Sequence, residues 1–297
     1  MLAFAVPQVA QAAPKSNELA PKHVAKSLLR ADDNAPGQVR GDAGKPSKPQ
    51  SNGINYHGGP VQLGTTSVYL IWYGNWSANT ATSIIPSFVT SDSGSPYFNI
   101  NTTYYNGAGT KVSNSLSLAG QASDAYSQGS SLSDNGVQAV VQRAISTGSL
   151  PANSAAVYFV LTSGDVAETS GFLTQYCGWH TSATIGGQDI KFAFVGNPSK
   201  NLAACAAQTS KSPNGNVAAD AMVSIVAHEL EESVTDPDLN AWYDSRGYEN
   251  ADKCAWTFGT TYKTANGSVA NMKLAGKDYL VQRNWVNASG GFCSTQY

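Results

Sequence analysis

The run Ala227-His228-Glu229-Leu230-Glu231-Glu232-Ser233-Val234-Thr235-Asp236-Pro237 concentrates metal-ligating and proton-transferring side chains in one short stretch. At about 100° per residue in an α-helix, His228 and Glu232 share a face, and Asp236 lies one further step along it. Three ligands can therefore converge on one cation. Glu229 then holds the place of the general base in the H-E-x-x-H pattern of zinc peptidases, where a carboxylate beside the first ligand activates water. Glu232 stands where that pattern has its second histidine. One imidazole with carboxylates is a harder donor set, which zinc accepts and which calcium or manganese also suits.

A further nitrogen has to come from elsewhere. The chain has four histidines, of which His23 falls in a polar N-terminal arm. His180, in Cys177-Gly178-Trp179-His180, would be presented rigidly if Cys177 is bridged. His57, in Tyr56-His57-Gly58-Gly59-Pro60, sits at the mouth of the first apolar segment. The downstream acids Asp244, Glu249 and Asp252 are additional candidates. The bland alternative is a solvated acidic helix edge closed by Thr235-Asp236-Pro237 as a stop signal. Against it, Ala221, Val223, Ile225, Val226 and Leu230 make the preceding turns strongly apolar. Ser163 follows an apolar run, but no G-x-S-x-G elbow surrounds it, which disfavours a serine hydrolase.

The elements that must position these residues follow from periodicity. Continuous β-branched and aromatic runs at 68–73, 156–161 and 191–196 read as strands buried on both faces. Helical spacing covers 83–93 and 134–147, the second behind an Asp134 cap. The longest helix is expected from Val217 to about Val234, after an Asn214-Gly215-Asn216 turn. A last strand is expected at 279–282. Strands alternating with helices predict a mixed α/β sheet, and the helix motif predicts a zincin-like single domain whose long buried helix carries the metal site.

Only 13% of residues are charged and the net charge is −2, which gives nucleic acid no basic surface to bind. Residues 1–52 carry seven basic against four acidic side chains. The start reads as a signal-peptide remnant over 1–12, ending in Ala10-Gln11-Ala12, although a basic n-region is missing. Residues 13–52, rich in Pro, Lys, Ala, Ser and Gly, read as a disordered basic arm or propeptide, with a short helix feasible at 18–29. Order is expected over 53–297. No segment reaches the roughly 20 apolar residues of a membrane span. Cys177, Cys205, Cys254 and Cys293 allow three pairings. Cys177–Cys205 and Cys254–Cys293, each nearest in sequence, are favoured, and two disulfides fit a secreted protein. Trp72, Tyr73, Trp76, Trp179, Trp242, Tyr243, Trp256 and Trp285 are a possible sugar-stacking set, more readily explained as core.

Tyr56-His57-Gly58-Gly59-Pro60-Val61, followed by Val68-Tyr69-Leu70-Ile71-Trp72-Tyr73-Gly74-Asn75-Trp76, resembles the Exordium-like, or phosphate-induced protein 1, family. The likeness continues through Tyr158-Phe159-Val160-Leu161-Thr162-Ser163, Val195-Gly196-Asn197, Asn240-Ala241-Trp242-Tyr243 and the segment closing at Cys293. The resemblance implies export, since plant members are secreted to the apoplast and linked to growth and nutrient responses. It implies no established activity. The His228-Glu229 pair looks like the mark of a microbial branch with a fuller site. Two functions are expected from the sequence. One is a secreted, zinc-dependent metallopeptidase acting on protein or peptide, with His228, Glu232, Asp236 and His180 as ligands and Glu229 as base. The other is a non-enzymatic cell-wall protein that binds polysaccharide and holds a structural ion such as calcium.

Overall fold

The computed structural model describes residues 23–24 and 53–297. The proposed leader, 1–12, and the arm, 13–52, lie outside the described residues except for His23–Val24, which form a strand rather than part of a helix.

The core is a mixed six-stranded sheet. Its strands in chain order are β1 (His23–Val24), β2 (Thr66–Tyr73), β3 (Leu116–Asp124), β4 (Ala156–Thr162), β5 (Gly178–Ile185) and β6 (Gln188–Gly196). Across the sheet they run β1-β5-β6-β4-β2-β3. The pairs β2–β3, β2–β4 and β4–β6 are parallel, whereas β5 is antiparallel to β6 and β1 is antiparallel to β5. Every residue of β4 is buried, as a central parallel strand covered on both faces requires. The expected strands at 68–73, 156–161 and 191–196 are β2, β4 and β6. The strand expected at 279–282 is instead Lys277–Tyr279, paired in a hairpin with Met272–Leu274. Its apolar residues 280–281 pack as core beyond the hairpin.

Among the described residues, three long helices cover the sheet, beside the short helix Leu202–Cys205. α1 (Ala81–Asp92) crosses from β2 to β3, and α2 (Asp134–Ser146) returns from β3 past β2 to β4. The two crossovers run in opposite directions across the sheet, and the right-handed rule for such connections then puts α1 and α2 on opposite faces. The α2 cap is Ser133, whose hydroxyl accepts the Gly136 N–H, so the expected Asp134 cap is displaced by one residue. Asp134 instead stands in the first turn, where its charge suits the helix dipole.

α3 (Val217–Thr235) follows the sheet and packs on α1, β5 and β6. Asn216 caps it, accepting the Ala219 N–H. All of its residues from Ala218 to Thr235 are buried, the acidic ones included. A helix buried all round lies between layers rather than on a surface. Here the second layer is the chain after 235, which returns across α3 through short turns and strands of two or three residues. The disulfides Cys177–Cys205 and Cys254–Cys293 are both formed. Among the described residues, no helix is long and apolar enough to cross a membrane.

Candidate metal centre

The acidic run of α3 has no solvent to face, so each carboxylate has a separate destination. Glu231 turns towards Asn284, whose side-chain amide donates to it. Glu229 turns towards β5, with Oε1 beside Gly178. Glu232, a full turn after His228, lies between two histidines. Residues 100° apart on one helix necessarily diverge in this way.

Two groups of potential ligands meet at Glu232. In the first, His228 Nε2 lies 3.0 Å from Glu232 Oε1 and 3.5 Å from Asp252 Oδ1. In the second, His180 Nε2 lies 3.7 Å from Glu232 Oε2 and 3.1 Å from Glu249 Oε2. Within each group the ligand atoms all fall within 4.8 Å of one another, and all five side chains are buried. Bonds of about 2.0–2.2 Å to a tetrahedral zinc put donor atoms roughly 3.3–3.6 Å apart, which is the scale of these spacings.

The residues fit a cation for a reason internal to the site. His228 is 0% exposed, yet neither of its ring nitrogens makes a hydrogen bond among the described residues, and Glu232 Oε2 makes none either. The close approach of His228 to Glu232 thus lacks donor geometry. A buried polar atom left unsatisfied costs about 1–3 kcal/mol, and an ion placed between such atoms removes that cost.

Burial and ion pairing act against each other within the cluster. Burial alone would lower the His228 pKa, but the Glu232 and Asp252 carboxylates reverse this and hold it well above the usual imidazole value. Burial raises Glu232; His228 opposes the rise, and Asp252 and Glu249 add to it. Asp236 is pushed up to about 7 by burial and by Glu249, against its own backbone hydrogen bonds.

Of the expected ligands, His228, Glu232 and His180 fall in these groups; Asp236 feels the charges of Glu249 and His180 but belongs to neither group. The backbone leaves the helical path at Asp236, with φ −142°, so its side chain does not continue the stripe of 228 and 232. Its Oδ1 accepts the N–H groups of Asn240 and Ala241, both at 2.6 Å, and closes the turn after the helix. Glu249 and Asp252 take the places expected of it. They arrive from a loop whose carboxylates were legible only as candidates, because nothing local fixes where a loop returns. Asp244 serves that loop instead, accepting from Arg246 and Tyr248 N–H and pairing with Lys253 at 3.1 Å. His57 is remote in role: it stacks on Tyr243 at 3.7 Å between ring centroids.

Both disulfides hold site segments. Cys177 immediately precedes β5 and therefore anchors Gly178 to His180, while Cys254 ends the short turn Asp252–Cys254. The Asp252 N–H donates to Glu232 Oε1 at 3.1 Å, tying that turn to α3. Gly178, the first residue of β5, lets Glu229 and Ile225 approach the strand closely, and sequence reasoning passed it over. Of the aromatic set, Trp72, Tyr73, Trp179 and Trp242 are buried, whereas Trp76, Tyr243, Trp256 and Trp285 are partly exposed, with Lys253 over the Trp285 ring.

The family described as "Phosphate-induced protein 1 conserved region" matches residues 54–285. "Protein EXORDIUM-like 3" of Arabidopsis thaliana is 31% identical over 284 residues, covering 82% of this chain and 84% of the relative. "Protein PHOSPHATE-INDUCED 1" of Nicotiana tabacum is 31% identical over 264 residues, covering 78% and 82%. "Protein EXORDIUM-like 5" of Arabidopsis thaliana is 30% identical over 272 residues, covering 78% and 75%. No solved structure matches the chain. With a family match over most of the chain and relatives that align along three quarters or more of it, this protein belongs to the phosphate-induced protein 1 family.

Proposed function

We propose that the domain is a secreted, zincin-like metal-dependent hydrolase acting on extended peptide. The observation that carries this reading is His228, fully buried and without a hydrogen bond among the described residues, facing Glu232 and Asp252. His228, Glu232 and Asp252 hold the cation, with His180 and Glu249 adjoining. Two imidazoles among carboxylates favour zinc, with manganese next, over calcium, which prefers oxygen donors alone. A cation held there supplies Lewis acidity. Glu229 is the proton acceptor, kept off the ligand face and seated against β5 by Gly178.

Peptide is the favoured substrate because the strand that carries His180 is bordered by a strand-pairing edge. β1 lies antiparallel on β5, with His23 opposite His180 and Val24 opposite Trp179. An extended peptide added to that edge forms the same ladder and runs past the site. Residues 13–52 then act as a propeptide whose strand holds the edge until it is removed. The two disulfides support an oxidising, extracellular setting.

Complete burial of the cluster favours a second reading, a non-enzymatic protein whose ion is structural. Glu229→Gln separates the two. In a peptidase it lowers hydrolysis of an unstructured protein substrate by about 10²–10⁴-fold while metal content and melting temperature hold. Wild type and variant equally inactive, each with bound metal, would leave the structural reading.

A further inference from the structure

We infer that the site holds two cations, bridged by the carboxylate of Glu232. This rests on the metal-site reading above and extends it to the second ligand group.

Glu232 does not offer both oxygens to one point. Oε1 faces His228 and the Asp252 N–H, whereas Oε2 faces His180, which in turn pairs with Glu249. Oε1 already accepts the Asp252 N–H and keeps a lone pair for its own side. Oε2 is buried without a hydrogen bond, and at 3.7 Å from His180 Nε2 it is too far to make one. His180 Nε2 is hydrogen-bonded to Glu249 Oε2 at 3.1 Å and so leaves Glu232 Oε2 without a close partner, and a solvated acid would not be 0% exposed. A second cation accounts for it, drawing Oε2, His180 Nε2 and Glu249 Oε2 to one centre.

Each half of the site then has the same composition: one imidazole nitrogen, one terminal carboxylate and one oxygen of the shared Glu232. The halves come from different parts of the chain. His228 and Glu232 lie on α3, His180 on β5, and Glu249 and Asp252 on the returning loop. A bridging carboxylate holds two ions about 3.5–4 Å apart, the spacing at which both can act on one substrate oxygen. The structure thus assigns His180 and Glu249 to a second ion rather than to the completion of the first. Zinc and manganese, which tolerate mixed nitrogen and oxygen donors, are its ligand class.

The test uses the full chain, stripped with chelator and titrated with Zn²⁺ and, separately, Mn²⁺. Metal analysis after gel filtration should give two ions per chain, and Mn²⁺ loading should give the electron paramagnetic resonance spectrum of an exchange-coupled pair. Glu249→Gln and His180→Gln should each keep one ion and weaken the second by more than about 10-fold. Near-ultraviolet circular dichroism checks that the variants are folded, and the Mn²⁺ spectrum of the wild type needs no variant. Saturation at one ion with an uncoupled spectrum overturns the bridge while leaving the single-metal function intact. Two ions that both persist in Glu249→Gln and His180→Gln overturn the assignment of the second site. No bound ion at all overturns both this inference and the proposed function.

Discussion

Gly178 lies directly against the carboxylate of Glu229: a Cβ at position 178 would stand 2.9 Å from Glu229 Oε1 and 2.6 Å from Ile225 Cγ2. Gly178 and His180 are two apart on β5, so both face α3. Gly178→Ala should therefore displace Glu229 and wedge the helix from the sheet. The expected cost is about 1–3 kcal/mol in urea unfolding, with zinc binding through His228 retained and hydrolysis reduced. An unfolding midpoint equal to the wild type would show that the strand has room for a methyl group there.

Chelation should lower stability, since an ion bound to the folded chain alone adds free energy to it. At zinc about 100-fold above its dissociation constant the gain is about 3 kcal/mol, or roughly 5–10 °C for a domain of this size. His228→Ala should diminish that shift. Differential scanning calorimetry with and without chelator reads both.

Replacing Cys254 and Cys293 together by Ser opens a crosslink between residues separated by 39 positions. The chain-entropy model puts the loss at about 4 kcal/mol. The site should suffer as well, because the bridge secures the turn that carries Asp252. Zinc affinity measured by competition with a chromophoric chelator should fall more in this variant than in a surface double mutant of equal stability.

Asp92 contributes to the pH dependence of stability together with its buried neighbour Glu231. Burial pushes the Asp92 pKa up to about 7, with the Ser95 hydroxyl opposing the rise. In the unfolded chain the same acid ionises near pH 4, so between pH 4 and 7 the folded state binds more protons and stability falls as pH rises. Asp92→Asn removes its share of that slope. The variant should match the wild type near pH 4 and exceed it by a few kcal/mol above pH 7, read from denaturation midpoints across that range.

The helix that carries the motif was legible almost to the residue, because its apolar content, Asn216 cap and Asp236-Pro237 stop are all local signals. The buried parallel strands β2, β4 and β6 were legible for the same reason. β3 and β5 were not. β3 alternates in burial and runs through Gly120, while β5 mixes Gly, His, Thr and Ser, so neither shows the apolar run that marked the others. The cysteine pairing was readable from proximity in sequence, and both expected bridges form.

Alone, the sequence determined that His228 and Glu232 share a helical face, since a four-residue step on a helix has a fixed geometry. It also determined that this helix is buried. Only the tertiary structure decided which groups meet them. Glu249 and Asp252 return from a loop, and His180 arrives from a strand whose position depends on pairing with β6. Asp236, adjacent in sequence and expected in the site, left it because one backbone turn committed its carboxylate to Asn240 and Ala241. The two faces of Glu232 became distinct only when separate segments closed on each oxygen. Long-range contacts of this kind are set by packing and chain reversal, which local periodicity does not record.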